Sequence, residues 1–238
     1  MKLTKEEIQY IDNYLIKNEV KFWDVRLELL DHIVSAVEDK IKSEGISFNE
    51  ALLEVHQGFG NKTTVGYTNI IDFEKALFVD DKGFKTFTRN KQKAMAKKNR
   101  MRFWSIFKQM IMSSKFLLEY GLYILLVLIA YQYKPKAAFM ISLIALVLPE
   151  LLKLKYVFKK GVRYSLSASM VGGISSAILC LQSGLVNFYK DEFTFNDVVD
   201  YRYVICFYIL LYSLFRANYN LYKEVLSTTI NRYNLLMS

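Results

Sequence analysis

The chain has 238 residues, is 53% hydrophobic and 15% aromatic, and carries a formal net charge of +9. That length accommodates one medium domain or two small ones, and its two cysteines, Cys180 and Cys206, both sit in apolar runs, so neither a disulfide framework nor a metal-ligand set is expected. The charge is uneven: residues 1–60 hold 7 Lys/Arg against 12 Asp/Glu, residues 61–115 hold 13 against 4, and residues 116–238 hold 12 against 7.

From Met1 to Ile8 there is no apolar core of a leader peptide, and none is expected to be removed. Thr4 with Glu7, and Ser47 with Glu50, have the spacing of capping boxes, in which each side chain satisfies the other's free backbone N–H. Between them Trp23, Leu27, Leu30, Val34, Val37 and Ile41 recur at helical intervals and predict one apolar stripe. Gly45 is the expected stop. Ala51, Leu52 and Val55 give a third helix its buried face, and a fourth is expected from about Asn69 to Val79. Glu28, Asp31 and His32 fall off the stripe, so a protein-binding surface is the expected use of that face, with no metal. No phosphate-binding glycine loop, nucleophile elbow or Cys–His ligand set occurs, so no enzyme and no cofactor are expected.

The run Glu28-Leu-Leu-Asp-His32, then Glu44-Gly45, Ile46 to Ala51 and Phe59-Gly60 resembles the HAAS or permease-prefix type of helical domain, over about residues 5–80. That resemblance implies a small cytosolic helical module in signalling or permease-associated bacterial membrane proteins. It implies no reaction.

A long basic helix follows. Lys97, Lys98, Arg100 and Arg102 approach the first apolar run with no acid among them, a composition suited to anionic lipid headgroups. Without a nucleic-acid-binding motif, nucleic acid is not an expected partner. Phe103, Ile106, Phe107, Met110 and Ile111 share one helical face, expected to lie in the membrane interface.

Four apolar segments then read as spans, at about residues 116–133, 137–152, 164–189 and 203–219. A crossing helix needs about 20 residues, and the last of these has only 13 residues between Arg202 and Arg216. It spans if Arg216 lies at the interface. The loops before residue 116 and between Lys153 and Arg163 are basic, whereas Asp191, Glu192, Asp197 and Asp200 make the loop after the third segment acidic. The positive-inside bias then puts both termini in the cytoplasm of a bacterial inner membrane.

Inside these segments Ser165, Ser169, Gly172, Gly173, Ser176 and Ala177 form rows of small residues, expected to pack against another helix. Glu119 and Glu150 are the acids nearest hydrocarbon, each with a lysine within a turn (Lys115 and Lys153), and interfacial pairing is expected. Pro149 removes a helical donor beside Glu150, which would be the first place to seek a polar site.

The expected architecture is therefore all-α. A helical domain occupies residues 1–82, a basic amphipathic helix 83–115, a four-helix transmembrane bundle 116–222 and a cytosolic tail 223–238. The expected function is that of a regulatory or scaffold protein whose head binds a protein partner, or which forms a homo-oligomer. A small oligomeric transporter or channel is the alternative.

Overall fold

A computed structural model of the chain describes residues 2–63, 73–172, 194–195, 198–199 and 201–237. Apart from one two-residue antiparallel pair, β1 (Thr194–Phe195) with β2 (Val198–Val199), its regular structure is helical. The backbone divides into two units, the first made of residues 1–95 with 164–166, the second of 96–163 with 167–238.

The first unit begins with α1 (Lys5–Lys17), α2 (Trp23–Glu44) and α3 (Phe48–Gly58). Both capping boxes form: Thr4 accepts from the Glu7 N–H and Ser47 from the Glu50 N–H, while each glutamate accepts from the cap residue's own N–H. Gly45 ends α2 in the left-handed conformation at φ 68°, which glycine adopts without a Cβ clash. The core joins Ile11, Tyr14 and Leu15 of α1 to Val25, Leu29, Ile33 and Val37 of α2, and to Ala51, Leu52 and Val55 of α3.

That core corrects the expected stripe. Trp23 and Val37 are buried, but Leu27, Leu30, Val34 and Ile41 are only half-buried. Helix α2 packs on both α1 and α3, so it carries apolar residues over more than one face. The row at strict four-residue spacing, 25-29-33-37, takes the centre. The fourth helix ends earlier than the expected Val79: its described part, α4, is Phe73–Ala76. Residues 69–72 of the expected helix lie outside the described residues.

Helix α5 (Lys82–Ile111) starts in the first unit, where Phe84 is buried. The second unit contains the rest of α5, then α6 (Ser114–Tyr133), α7 (Pro135–Val157), α8 (Lys160–Arg163) and α9 (Tyr201–Met237). Three helices are long and apolar enough to cross a membrane: Ser114–Tyr133, Pro135–Lys153 and Tyr201–Leu236. The expected four-span bundle is corrected to three candidate spans among the described residues. The segment read as the third span falls mostly outside them; its described part is residues 164–172, helical from 166.

The last apolar segment and the expected tail are one helix of 37 residues. Its first half packs antiparallel to α6. Phe116 meets Ala217 at one end, Val127 meets Ile205 nearer the other, and Tyr131 lies with Tyr201 beyond it. Helix α7 runs alongside α9, with Phe139 near Tyr201 and Leu146 packed on Tyr208 and Phe215. Its second half closes on other partners. Leu221, Tyr222 and Leu226 form a cluster with Val162, Ala168 and Val171, against which Phe103 and Ile106 pack. Leu117, Leu118, Leu122, Leu125, Leu126, Leu128 and Ile129 of α6 are all exposed. So large a contiguous apolar surface suits lipid and not water.

Candidate functional site

The ion pairs Glu119–Arg216, Glu150–Lys153 and Arg102–Glu224 lie toward the end of the bundle where α6 begins. Tyr212 and Arg216 stand four residues apart on α9, so both reach the same point on α6. Tyr212 Oη donates to Glu119 Oε1 at 2.7 Å, Arg216 Nη2 donates to Oε2 at 3.2 Å, and Arg216 Nε lies 3.0 Å from Oε1. The partner of Glu119 is therefore a cross-helix arginine. Around it the Tyr212 ring stacks on Tyr123 and Tyr120 at 4.6 and 6.0 Å, and Tyr120 Oη donates to the Ile209 carbonyl at 3.0 Å.

On α7 the helix runs unbroken through Pro149. Glu150 Oε1 accepts from Lys153 Nζ at 2.7 Å, with the two side chains only 10% and 5% exposed. Lys153 Nζ also lies 5.4 Å from the centre of the Tyr222 ring. A desolvated ammonium gains from a carboxylate and from a ring face together.

In the first unit Glu28 pairs with Lys91 of α5, and His32 Nε2 lies 3.9 Å from the same carboxylate. The His32 ring meets Phe87 edge-on at 6.2 Å, and Asp31 is exposed. Glu28 is thus engaged within its own unit, whereas Asp31 and His32 face outward. No group of three or more His, Cys, Asp or Glu suited to a metal occurs among the described residues.

A buried polar centre escaped the sequence reading. Tyr14 Oη lies 2.5 Å from His56 Nδ1, and Asn61 Nδ2 lies 3.3 Å from the same nitrogen. Asn61 Oδ1 accepts from the Gly83 N–H at 2.7 Å, which ties the α3 end to α5. Burial holds His56 below its ordinary pKa, partly opposed by the Lys62 backbone and by Asp80, and burial pushes Tyr14 up. The only sequence signal was that His56 is one of two histidines.

Of the small-residue rows, Ser165 is buried in the first unit, where its hydroxyl donates to Asp24 Oδ2 at 2.9 Å. The Leu166 N–H donates to Asp24 Oδ1, also at 2.9 Å, so Asp24 caps a helix start as a serine or aspartate at the N-cap would. Ser169 is exposed and Gly172 half-buried. Gly173, Ser176 and Ala177 lie outside the described residues. Of the four cations read as headgroup ligands, Lys97, Lys98 and Arg100 are exposed. Arg102 grips Glu224 with two bonds, of 2.9 and 3.1 Å.

The first unit also carries a groove of about 430 Å³ between the α1–α2 connection and α5. Val20 and Phe84 form its apolar floor, and Lys21 and Arg89 its basic rim, beside Lys85, which pairs with Asp81 at 2.8 Å. Glu19 stands on the rim with φ 59°, a conformation that a residue with a Cβ holds only at a cost of about 1–2 kcal/mol. Comparison with protein-family models, with curated proteins and with solved structures gave no match.

Proposed function

We propose that this chain is a regulatory or scaffold protein of a bacterial cytoplasmic membrane, whose N-terminal helical unit binds a protein partner and whose apolar helices anchor it. The observation that carries this reading is the groove of the first unit. An apolar floor with a basic rim fits an acidic segment carrying an apolar side chain. Both termini belong on the cytoplasmic side under this reading. Met110 and Phe116, at the entry to α6, share a cluster with Ala217, where α9 leaves the apolar region, and the loops nearest that end are the basic ones.

The alternative, an oligomeric transporter, needs a polar side chain that can change partners in the membrane. Glu150 is its best candidate, and its 2.7 Å bond to a lysine one turn away supports a static role instead.

A photo-crosslinking side chain placed at Lys21, Thr88 or Arg89 of the full-length protein in its native membrane tests the proposal. The expected result is one stoichiometric protein adduct at these positions, lost in Lys85→Glu/Arg89→Glu. No adduct at the groove, together with solute flux into reconstituted vesicles that Glu150→Gln abolishes, would replace this reading with the transporter.

A further inference from the structure

Of the five α5 residues expected to face lipid, Ile111 is exposed and the other four face protein. Phe103, Ile106 and Phe107 pack, with buried Met110, onto Ala217, Leu221, Tyr222 and Leu226 of α9. The opposite side of the helix has a different composition. Lys97, Met101, Trp104, Lys108 and Ile111 recur at intervals of 4, 3, 4 and 3 residues, which makes them one stripe. Arg100 flanks it and Met112 closes it.

All seven residues are exposed. Trp104 is 56% exposed and Met112 76%, and with exposed Met101 and Ile111 they make an apolar row, not a single exposed side chain. No acid occurs between Asp81 and Glu119. The helix ends at Ile111, and the first candidate span begins at Ser114. The stripe therefore runs up to the point at which the chain enters hydrocarbon.

We propose that this stripe, and not the Phe103–Met110 side, is a binding surface for anionic phospholipid. Ile111 and Met112, next to the span, would sit at the level of the upper acyl chains, with Trp104, Met101, Lys97, Arg100 and Lys108 in the headgroup layer. The proposal rests on reading the chain as a membrane protein and is independent of the partner groove. Three features select lipid over another occupant. A tryptophan at the boundary suits its amphipathic ring. Mixed Lys/Arg and apolar residues on one face, with no acid, complement an anionic interface. The stripe is also continuous with a span that itself has to be solvated by lipid.

The chain has two tryptophans, and Trp23 is 92% buried, so Trp104→Phe removes the exposed one with little risk to folding. The test reconstitutes the full-length wild type and Trp104→Phe in phosphatidylcholine vesicles that contain, at equal low mole fraction, either dibrominated phosphatidylcholine or dibrominated phosphatidylglycerol. Flotation with the vesicles first establishes membrane insertion.

The expected result is quenching that disappears in Trp104→Phe and is about twofold stronger with the phosphatidylglycerol, because the cations enrich it locally. In Lys97→Gln/Arg100→Gln/Lys108→Gln the two lipids should quench equally. Equal quenching in the wild type would overturn the anionic preference. Quenching of Trp104 by aqueous iodide, or by neither agent, would place the stripe in water or under protein and overturn the site. Loss of flotation would reject the membrane reading itself, and none of these outcomes depends on an adduct at Lys21, Thr88 or Arg89.

Discussion

Arg216 of α9 and Glu119 of α6, 97 residues apart in sequence, are joined by an Arg216 Nε to Glu119 Oε1 contact of 3.0 Å and by a second bond from Nη2. The pair marks where the apolar part of α9 ends. From Tyr201 to Arg216 the helix has 16 residues, a rise of about 24 Å, short of a full hydrocarbon thickness unless its end groups are accommodated. Glu119 and the Tyr212 hydroxyl provide that accommodation, so the helix continues past its arginine into the second cluster.

Removing both members of this pair should cost less than the two single losses added together. Glu119→Gln leaves Arg216 without its anion, and Arg216→Gln leaves the carboxylate. Each side chain is about a third exposed, so about 1–2 kcal/mol is expected for each single change, below the cost of breaking a fully buried pair. In the double variant the two amides can bond each other, and the loss should fall short of the sum. Thermal unfolding of the four proteins in one detergent measures this. Additive losses would mean that the contact carries no coupling.

The helix directions predict which positions share a side. Lys134 and Arg202 lie at the end where Tyr131, Phe139 and Tyr201 cluster. Arg102, Lys155 and Glu224 belong to the end that holds Lys153, Tyr222 and the Arg102–Glu224 pair. After Cys180 and Cys206 are replaced by serine, single cysteines at 134 and 202 should react with an impermeant maleimide from one side of the membrane. Cysteines at 155 and 224 should react from the other, which the basic loops assign to the cytoplasm. Reaction of 202 and 224 from the same side would refute α9 as a span.

Much of this was legible in sequence, and what was not has a physical reason. Capping boxes are local, so Thr4–Glu7 and Ser47–Glu50 could be read without a fold. The phase of α2 could not. With Leu27, Leu30 and Val34 beside Val25, Leu29 and Ile33, more than one stripe satisfies helical spacing, and only the positions of α1 and α3 choose between them. The same ambiguity inverted the α5 faces: Phe103, Ile106 and Met110 make as good a lipid face as Met101, Trp104 and Met112 until α9 covers one of them. Glu119 was read as a span-end acid with a local lysine because a cross-helix arginine leaves no trace in a window of one turn. The polar continuation of α9 looked like a tail because its buried residues, Leu221, Tyr222 and Leu226, are spaced for a helix that has already left the apolar region.

Two glycines are held by different neighbours, and substitution should separate them. A Cβ on Gly83 would collide with the Phe59 carbonyl oxygen and lie 2.8 Å from Asn61 Oδ1. Backbone cannot step aside, so Gly83→Ala should destabilise the first unit by about 3 kcal/mol, the upper end of overpacking costs. A Cβ on Gly161 would meet the Tyr233 ring at 2.7 Å. A side chain can rotate away, so Gly161→Ala should cost about 1 kcal/mol and be rescued by Tyr233→Ala. Hydrogen exchange of α1 and α3, against that of α9, reads the two effects in one experiment. A Gly83→Ala protein with unchanged protection of α3 would show that the contact with Phe59 is looser than the structure places it.

The buried His56 makes the first unit acid-sensitive, and the sign follows from its environment. Burial lowers its folded pKa below the unfolded value of 6.5, so the unfolded chain takes up a proton that the folded unit resists. Stability is therefore full above pH 6.5 and falls with pH below it, down to the folded pKa. The slope is at most about 1.4 kcal/mol per pH unit for one proton. The Asn61 amide N–H also points at Nδ1, so the neutral ring keeps Nδ1 unprotonated and accepts there from the Tyr14 hydroxyl. A protonated ring has a donor on both nitrogens and cannot accept, so acid also breaks that bond. His56→Gln keeps a side-chain acceptor with no titrating group. It should cost stability at pH 7 but flatten the dependence between pH 6.5 and 5, read as amide protection of α1 and α3 in the full-length protein after correction for intrinsic exchange rates. A wild type as well protected at pH 5 as at pH 7, or a His56→Gln protein with the same acid loss, would show that His56 is not the group responsible.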